Sequence, residues 1–153
     1  MNTINYFKLQ AKNLHKDFKT KTLTDDISIG GFIYEYNPKY FRLDLIISDF
    51  NIDEKNITLM KLQHVIAKMA NFDSWDMLLN ASPDELDLAK LLYDYQNRID
   101  LISWLNYIKH SQSMNEIKLD TEIQINIFKQ VVIEDNIFDM IIESYLLCHD
   151  EWD

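Results

Sequence analysis

Apolar residues recur at steps of three and four between residues 59 and 70. Leu59, Leu62, Ile66 and Met69 share one face, with Val65 and Ala70 beside them, while Lys61 and Lys68 fall opposite. Thr58 can accept an orphan backbone N–H at the start. The pattern predicts a helix, a corner at Asn71-Phe72-Asp73 and a second short helix carrying Trp75. Residues 4–19 repeat the helical period through Phe7, Ala11, Leu14 and Phe18. Pro38 is placed to start another helix over 39–48, with Phe41, Leu45 and Ile46 inward.

Further on, Ser82-Pro83-Asp84-Glu85 is a helix start: a serine cap, proline at the first helical position and glutamate three residues after the cap. Leu88, Leu91, Leu92 and Tyr95 continue that helix. A change of direction is expected near 97–100, then a helix over 99–108 with Leu101, Ile102, Trp104, Leu105 and Ile108 as its apolar set. Residues 111–118 read as a polar linker. Residues 121–133 fit two periods: Ile123, Ile125 and Ile127 alternate as in a strand, whereas Ile123, Ile127 and Val131 suit a helix. Thr121 with Gln124 as a capping box favours the helix. Residues 134–149 predict a last helix with Phe138, Ile141, Ile142, Tyr145 and Leu146 inward.

The chain holds only two glycines and two prolines, so long sheets are disfavoured. The expected fold is all-α, a compact bundle of about six helices, with one very short hairpin near 27–34 turning at Gly30-Gly31. The expected organisation is a helical domain over 1–97 and an acidic helical extension over 98–153, packed on it as one globular unit. A single cysteine, Cys148, gives no internal disulfide and suits a reducing compartment. The first twelve residues lack a signal-peptide apolar core, and no apolar run is long enough to span a membrane. The expectation is a soluble cytoplasmic protein with no membrane association.

Charge changes the picture more than composition does. The net charge is −10, yet residues 1–70 carry ten Lys/Arg against eight Asp/Glu, and residues 71–153 carry five against seventeen. The acidic half suits solubility or a basic protein partner. Within the first half, Lys8, Lys12, Lys16 and Lys19 cluster within about a quarter-turn on the first helix. That stripe is either a solvated face or a contact to phosphate or to an acidic protein. Net negative charge argues against nucleic acid as the partner. Trp152, in the acidic tail Asp150-Glu151-Trp152-Asp153, is a candidate aromatic hook for a partner.

Motifs for chemistry are sparse. The four histidines, His15, His64, His110 and His149, fall at no zinc-binding spacing, and adjacent Cys148-His149 makes a poor chelate. Neither a phosphate-binding glycine loop nor a G-x-S-x-G elbow occurs. Asp49, Asn51 and Asp53 alternate as in a calcium loop, but Glu54 replaces the required glycine and Met60 stands at the twelfth position. A DNA-reading helix-turn-helix is opposed by Asp73 and Asp76, which phosphate would repel. The expectation is no catalytic residues, no metal and no cofactor.

Gln63-His64-Val65-Ile66-Ala67-Lys68, followed by Phe72-Asp73-Ser74-Trp75 and Leu78, resembles the QHxIA…GFxSWxxL signature of the bacterial glyoxalase-related domain. Similar signatures precede ankyrin repeats in some bacterial proteins. Tyr6-Phe7-Lys8, Tyr34-Glu35-Tyr36-Asn37-Pro38 and Glu85 to Leu92 extend the likeness over about residues 6–97. Asn71 stands where that domain usually has glycine; asparagine also tolerates a left-handed backbone. The resemblance implies a domain without an established reaction, and makes His64 a candidate contact residue. It does not imply an active glyoxalase, whose paired βαβββ modules and His/Glu metal ligands have no counterpart in this pattern. Three function classes follow: a non-catalytic interaction or regulatory module, favoured; an enzyme whose site assembles from distant residues; and a nucleic-acid-associated protein using the lysine face.

Overall fold

The computed structural model describes residues 1–26, 28, 30–138 and 142–147. Among them are seven α-helices and one two-stranded antiparallel hairpin. The order is α1 (Thr3–Phe18), β1 (Thr22–Asp26), β2 (Gly31–Glu35), α2 (Leu43–Asp49), α3 (Leu59–Met69), α4 (Trp75–Leu79), α5 (Pro83–Asp94), α6 (Leu101–Asn115) and α7 (Thr121–Phe128). A π-helical turn, Lys129–Glu134, follows α7. The chain divides into two compact units, one of residues 5–66 with 144–153 and one of residues 1–4 with 67–143. No helix among the described residues is long and apolar enough to cross a membrane.

In the first unit, α1 buries the seam its period dictates, Phe7, Ala11, Leu14 and Phe18, and with them one charged residue, Asp17. Asp17 is 2% exposed. Its carboxylate accepts three successive backbone N–H groups, from Lys39 (2.9 Å, Oδ1), Tyr40 (2.9 Å, Oδ2) and Phe41 (2.8 Å, Oδ2). A buried carboxylate needs such donors to replace its lost hydration. The same segment pairs with the end of the chain: Arg42 N donates to Tyr145 O at 2.8 Å, and Leu147 N to Tyr40 O at 3.0 Å, forming an antiparallel bridge between Phe41 and Leu146. This overturns two expectations. The helix expected from residue 39 starts only at Leu43, because bridging holds Phe41 extended. The helix expected over 134–149 is absent from its described part beyond the π-turn: residues 142–147 run without helix and bridge to Phe41. Ile141, Cys148 and His149 lie outside the described residues.

The hairpin is present but displaced from its expected register. Thr22 pairs with Glu35, and Asp26 with Gly31, so the chain reverses between Asp26 and Gly31. Gly30 sits there at φ +68°, while Gly31 belongs to β2 rather than to a two-residue turn. The strand partner is Thr-Leu-Thr-Asp-Asp; the glycines alone did not specify it.

The second unit begins within α3. Asn71 adopts φ 71°, with Phe72 N donating to Ala67 O at 2.9 Å and Asn71 N to Lys68 O at 3.1 Å. These two bonds are a Schellman helix stop, with asparagine filling the left-handed position. Ser74 then caps α4, its Oγ accepting from Met77 N at 3.2 Å, and Trp75 is buried as expected. Ser82 caps α5 in the same way and donates its hydroxyl to Glu85 Oε1. The core of this unit gathers Leu92, Ile99, Trp104, Ile108, Leu119, Phe128 and Val132. Trp104 meets Phe128 edge-on at 5.1 Å and stacks on Tyr107 at 6.1 Å.

Three local expectations change here. α6 continues to Asn115, through most of the expected linker, and stops at Glu116 in the left-handed region. Ile102 (73% exposed) and Leu105 face outward, because the buried stripe of α6 is Trp104 and Ile108. α7 is a helix, but Asp120 caps it rather than Thr121, accepting from Ile123 N at 2.9 Å. The buried residues are Phe128 of α7 and Val132 of the π-helical turn, each one position beyond the expected Ile127 and Val131, and Ile123 is exposed.

Candidate functional site

Lys8, Lys12, Lys16 and Lys19 all sit exposed in the first unit, along α1 and the residue following it. At 1.5 Å per residue the stripe is about 16 Å long. None of the four forms an ion pair with a described residue. His15 lies on the same face by helical phase, at −20° from Lys8 on a 100°-per-residue wheel.

At the C-terminal end of α1 this stripe opens onto a hollow of about 270 Å³ lined by His15, Phe18, Lys19, Lys21, Lys55 and Ile57. Every ionisable lining residue is a base. Lys21 is held from two sides: its Nζ donates to Glu54 O at 2.7 Å and lies 4.7 Å over the Tyr34 ring. Lys55 follows a turn in which Asp53 Oδ1 accepts the Lys55 N–H at 3.1 Å. The loop is tied further to the hairpin end, because Tyr36 Oη donates to Glu54 Oε1 at 2.8 Å. Burial, and secondly the Lys19 charge, push the His15 pKa below its usual 6.5.

On the other side of Glu54 lies a cleft of about 440 Å³, with Phe41, Leu43 and Ile47 among its apolar walls and Tyr34, Arg42, Asp44 and Glu54 among its polar ones. Its volume is that of a small-molecule pocket. Tyr36, which also lines it, is driven well above the usual tyrosine range by burial and then by its bond to Glu54. That phenol is a neutral hydrogen-bond donor, not an activated base or nucleophile.

The calcium-like carboxylates go separate ways. Asp49 Oδ2 accepts from Tyr145 Oη at 2.6 Å, Asp53 closes its own turn, and Glu54 holds Tyr36. No group of three or more His, Cys, Asp or Glu among the described residues is placed to hold a metal ion.

The structure thus brings Lys19 together with His15, Lys21 and Lys55, and leaves the other candidates apart. His64 is half-buried on α3, has an interaction partner, and does not line the hollow. Trp152 lies outside the described residues. His15 was recoverable from helical phase, and Lys21 lies only two residues beyond Lys19; Lys55 was not recoverable, since only chain folding carries it to the end of α1.

Compared with protein-family models, curated proteins and solved structures, this chain matches none.

Proposed function

We propose that this protein is a non-catalytic interaction module whose α1 lysine face docks an acidic segment of a protein partner. The observation carrying this reading is the contrast between two sets of charges. The lysines of α1 are exposed and make no ion pair with a described residue. Many acidic residues of the second unit are instead used internally. Asp100 and Asp120 cap helices, Asp76, Asp84, Glu85 and Glu122 sit in first turns that favour negative charge, and Asp94 pairs with Lys90 at 2.6 Å. The lysine face is therefore a run of like charge on one helix that no described carboxylate neutralises, which suits an acidic partner. The signature from Gln63 to Leu78 supports placing residues 6–97 beside the glyoxalase-related domain, and the single cysteine supports a cytoplasmic location; both belong to the same proposal.

Fluorescence anisotropy with a labelled hexaglutamate peptide tests the reading. Binding at about 20 mM salt should fall steeply by about 300 mM, as screening predicts. The triple variant K8Q/K12Q/K16Q should weaken it about tenfold. A control triple, K109Q/K118Q/K129Q, removes equal charge elsewhere and should leave it intact. Equal weakening by both triples, or tighter binding of a DNA duplex than of the peptide, overturns the proposal.

A further inference from the structure

We infer that the hollow at the end of α1 is a phosphate-group site, which takes a phosphomonoester dianion between Lys19, Lys21, Lys55 and His15. Four features support this. The lining bases come from two chain segments, residues 15–21 at and just beyond the end of α1 and the loop before α3, and converge on one concavity. No carboxylate lines it: Glu54 turns its carboxylate to Tyr36 and offers only its backbone carbonyl on the Lys21 side. Lys21 is already fixed by that carbonyl and the Tyr34 ring, so part of the ordering cost of binding is met in the free protein. The volume of about 270 Å³ accommodates a tetrahedral oxyanion with its first waters. A phosphomonoester dianion offers three terminal oxygens and up to two negative charges where a carboxylate offers two oxygens and one charge, so this chemistry fits three lysines better than a glutamate side chain does.

The position of the hollow deepens the docking proposal. An extended peptide advances about 3.3 Å per residue, so about five acidic residues cover the stripe from Lys8 to Lys19. The next residue then falls at the hollow. The inference for the peptide rests on the acidic-partner reading; the inference for the phosphate group does not.

The test uses three probes on the full chain: the acidic hexapeptide, the same peptide ending in phosphoserine, and inorganic phosphate. Phosphorylation should tighten the peptide about tenfold. K55Q, outside the α1 stripe, should cut that gain to about twofold or less while leaving the unphosphorylated peptide unchanged. K8Q/K12Q/K16Q should weaken both peptides equally and preserve the gain. Inorganic phosphate should shift the His15 ring protons in NMR spectra, and K55Q should diminish that shift. If neither peptide binds but phosphate still perturbs His15 through Lys55, the hollow takes free phosphate and the docking reading alone fails. If phosphorylation gives no gain and phosphate leaves His15 unmoved, the site is overturned. A gain that K55Q leaves untouched overturns it as well.

Discussion

The Asp17 carboxylate receives the backbone N–H of Phe41 at 2.8 Å across 24 residues of sequence, with both residues buried. Lys39 and Tyr40 donate to the same carboxylate, so one side chain holds three consecutive peptide groups. This arrangement sets where α2 begins, and with it the segment between the hairpin and α2.

Replacing Asp17 with asparagine should therefore be costly. The amide keeps one acceptor oxygen but turns an N–H toward a backbone donor, and the ionic character is lost. A destabilisation of about 3 kcal/mol is expected, since buried hydrogen bonds to charged groups and orphaned donors each cost in the range of 1–3 kcal/mol. Urea unfolding followed by circular dichroism measures it. A variant as stable as the parent would mean that water or a rearranged loop satisfies the three donors equally well.

Tyr145 and Asp49 define a pH dependence. Tyr145 Oη donates to Asp49 Oδ2 at 2.6 Å, and its ring lies 5.3 Å from that of Phe50. Burial first, and that bond second, push its pKa from 10.0 up to about 12. The neutral phenol is the donor, so the raised value means stability that is fully present below pH 10 and lost as the pH rises through about 12. Asp49→Asn should bring the Tyr145 titration back part of the way toward 10, leaving the share due to burial. NMR of carbon-labelled tyrosine, assigned with Y145F, reads this directly. If D49N leaves the titration in place, burial alone raises the value.

Asn71 closes α3 at φ 71°, a conformation alanine adopts at a cost of about 1 kcal/mol. Asn71→Ala should lose about that much, whereas Asn71→Gly should stay within a few tenths of a kcal/mol of the parent. Paired denaturation curves distinguish them. Equal stability of the alanine and glycine variants would show that the backbone there relaxes out of the left-handed region.

What could be read directly was local. The α1 seam of Phe7, Ala11, Leu14 and Phe18, the α3 face of Leu62, Ile66 and Met69, the Thr58 and Ser82 ends and the asparagine corner all depend on residues within a few positions of one another. Helical period and capping act over that range, so the chain declares them without its fold. Lys8, Lys12, Lys16 and Lys19 were legible for the same reason, as one exposed face.

The rest was settled by contacts the chain makes across long separations. Residues 142–147 carry an apolar pattern that suits a helix, yet they bridge to Phe41, because hydrogen bonding to Tyr40 and Arg42 competes with helical bonding. Asp17 is an acid within a lysine-rich helix, and its burial depends on three donors 22 to 24 residues away. Lys55 reaches Lys19 and Lys21 only once the loop before α3 is tied to Lys21 and Tyr36 through Glu54. Periodicity marks which side of a helix is wet, but the concavity into which several wet side chains converge depends on tertiary contacts between segments far apart in sequence.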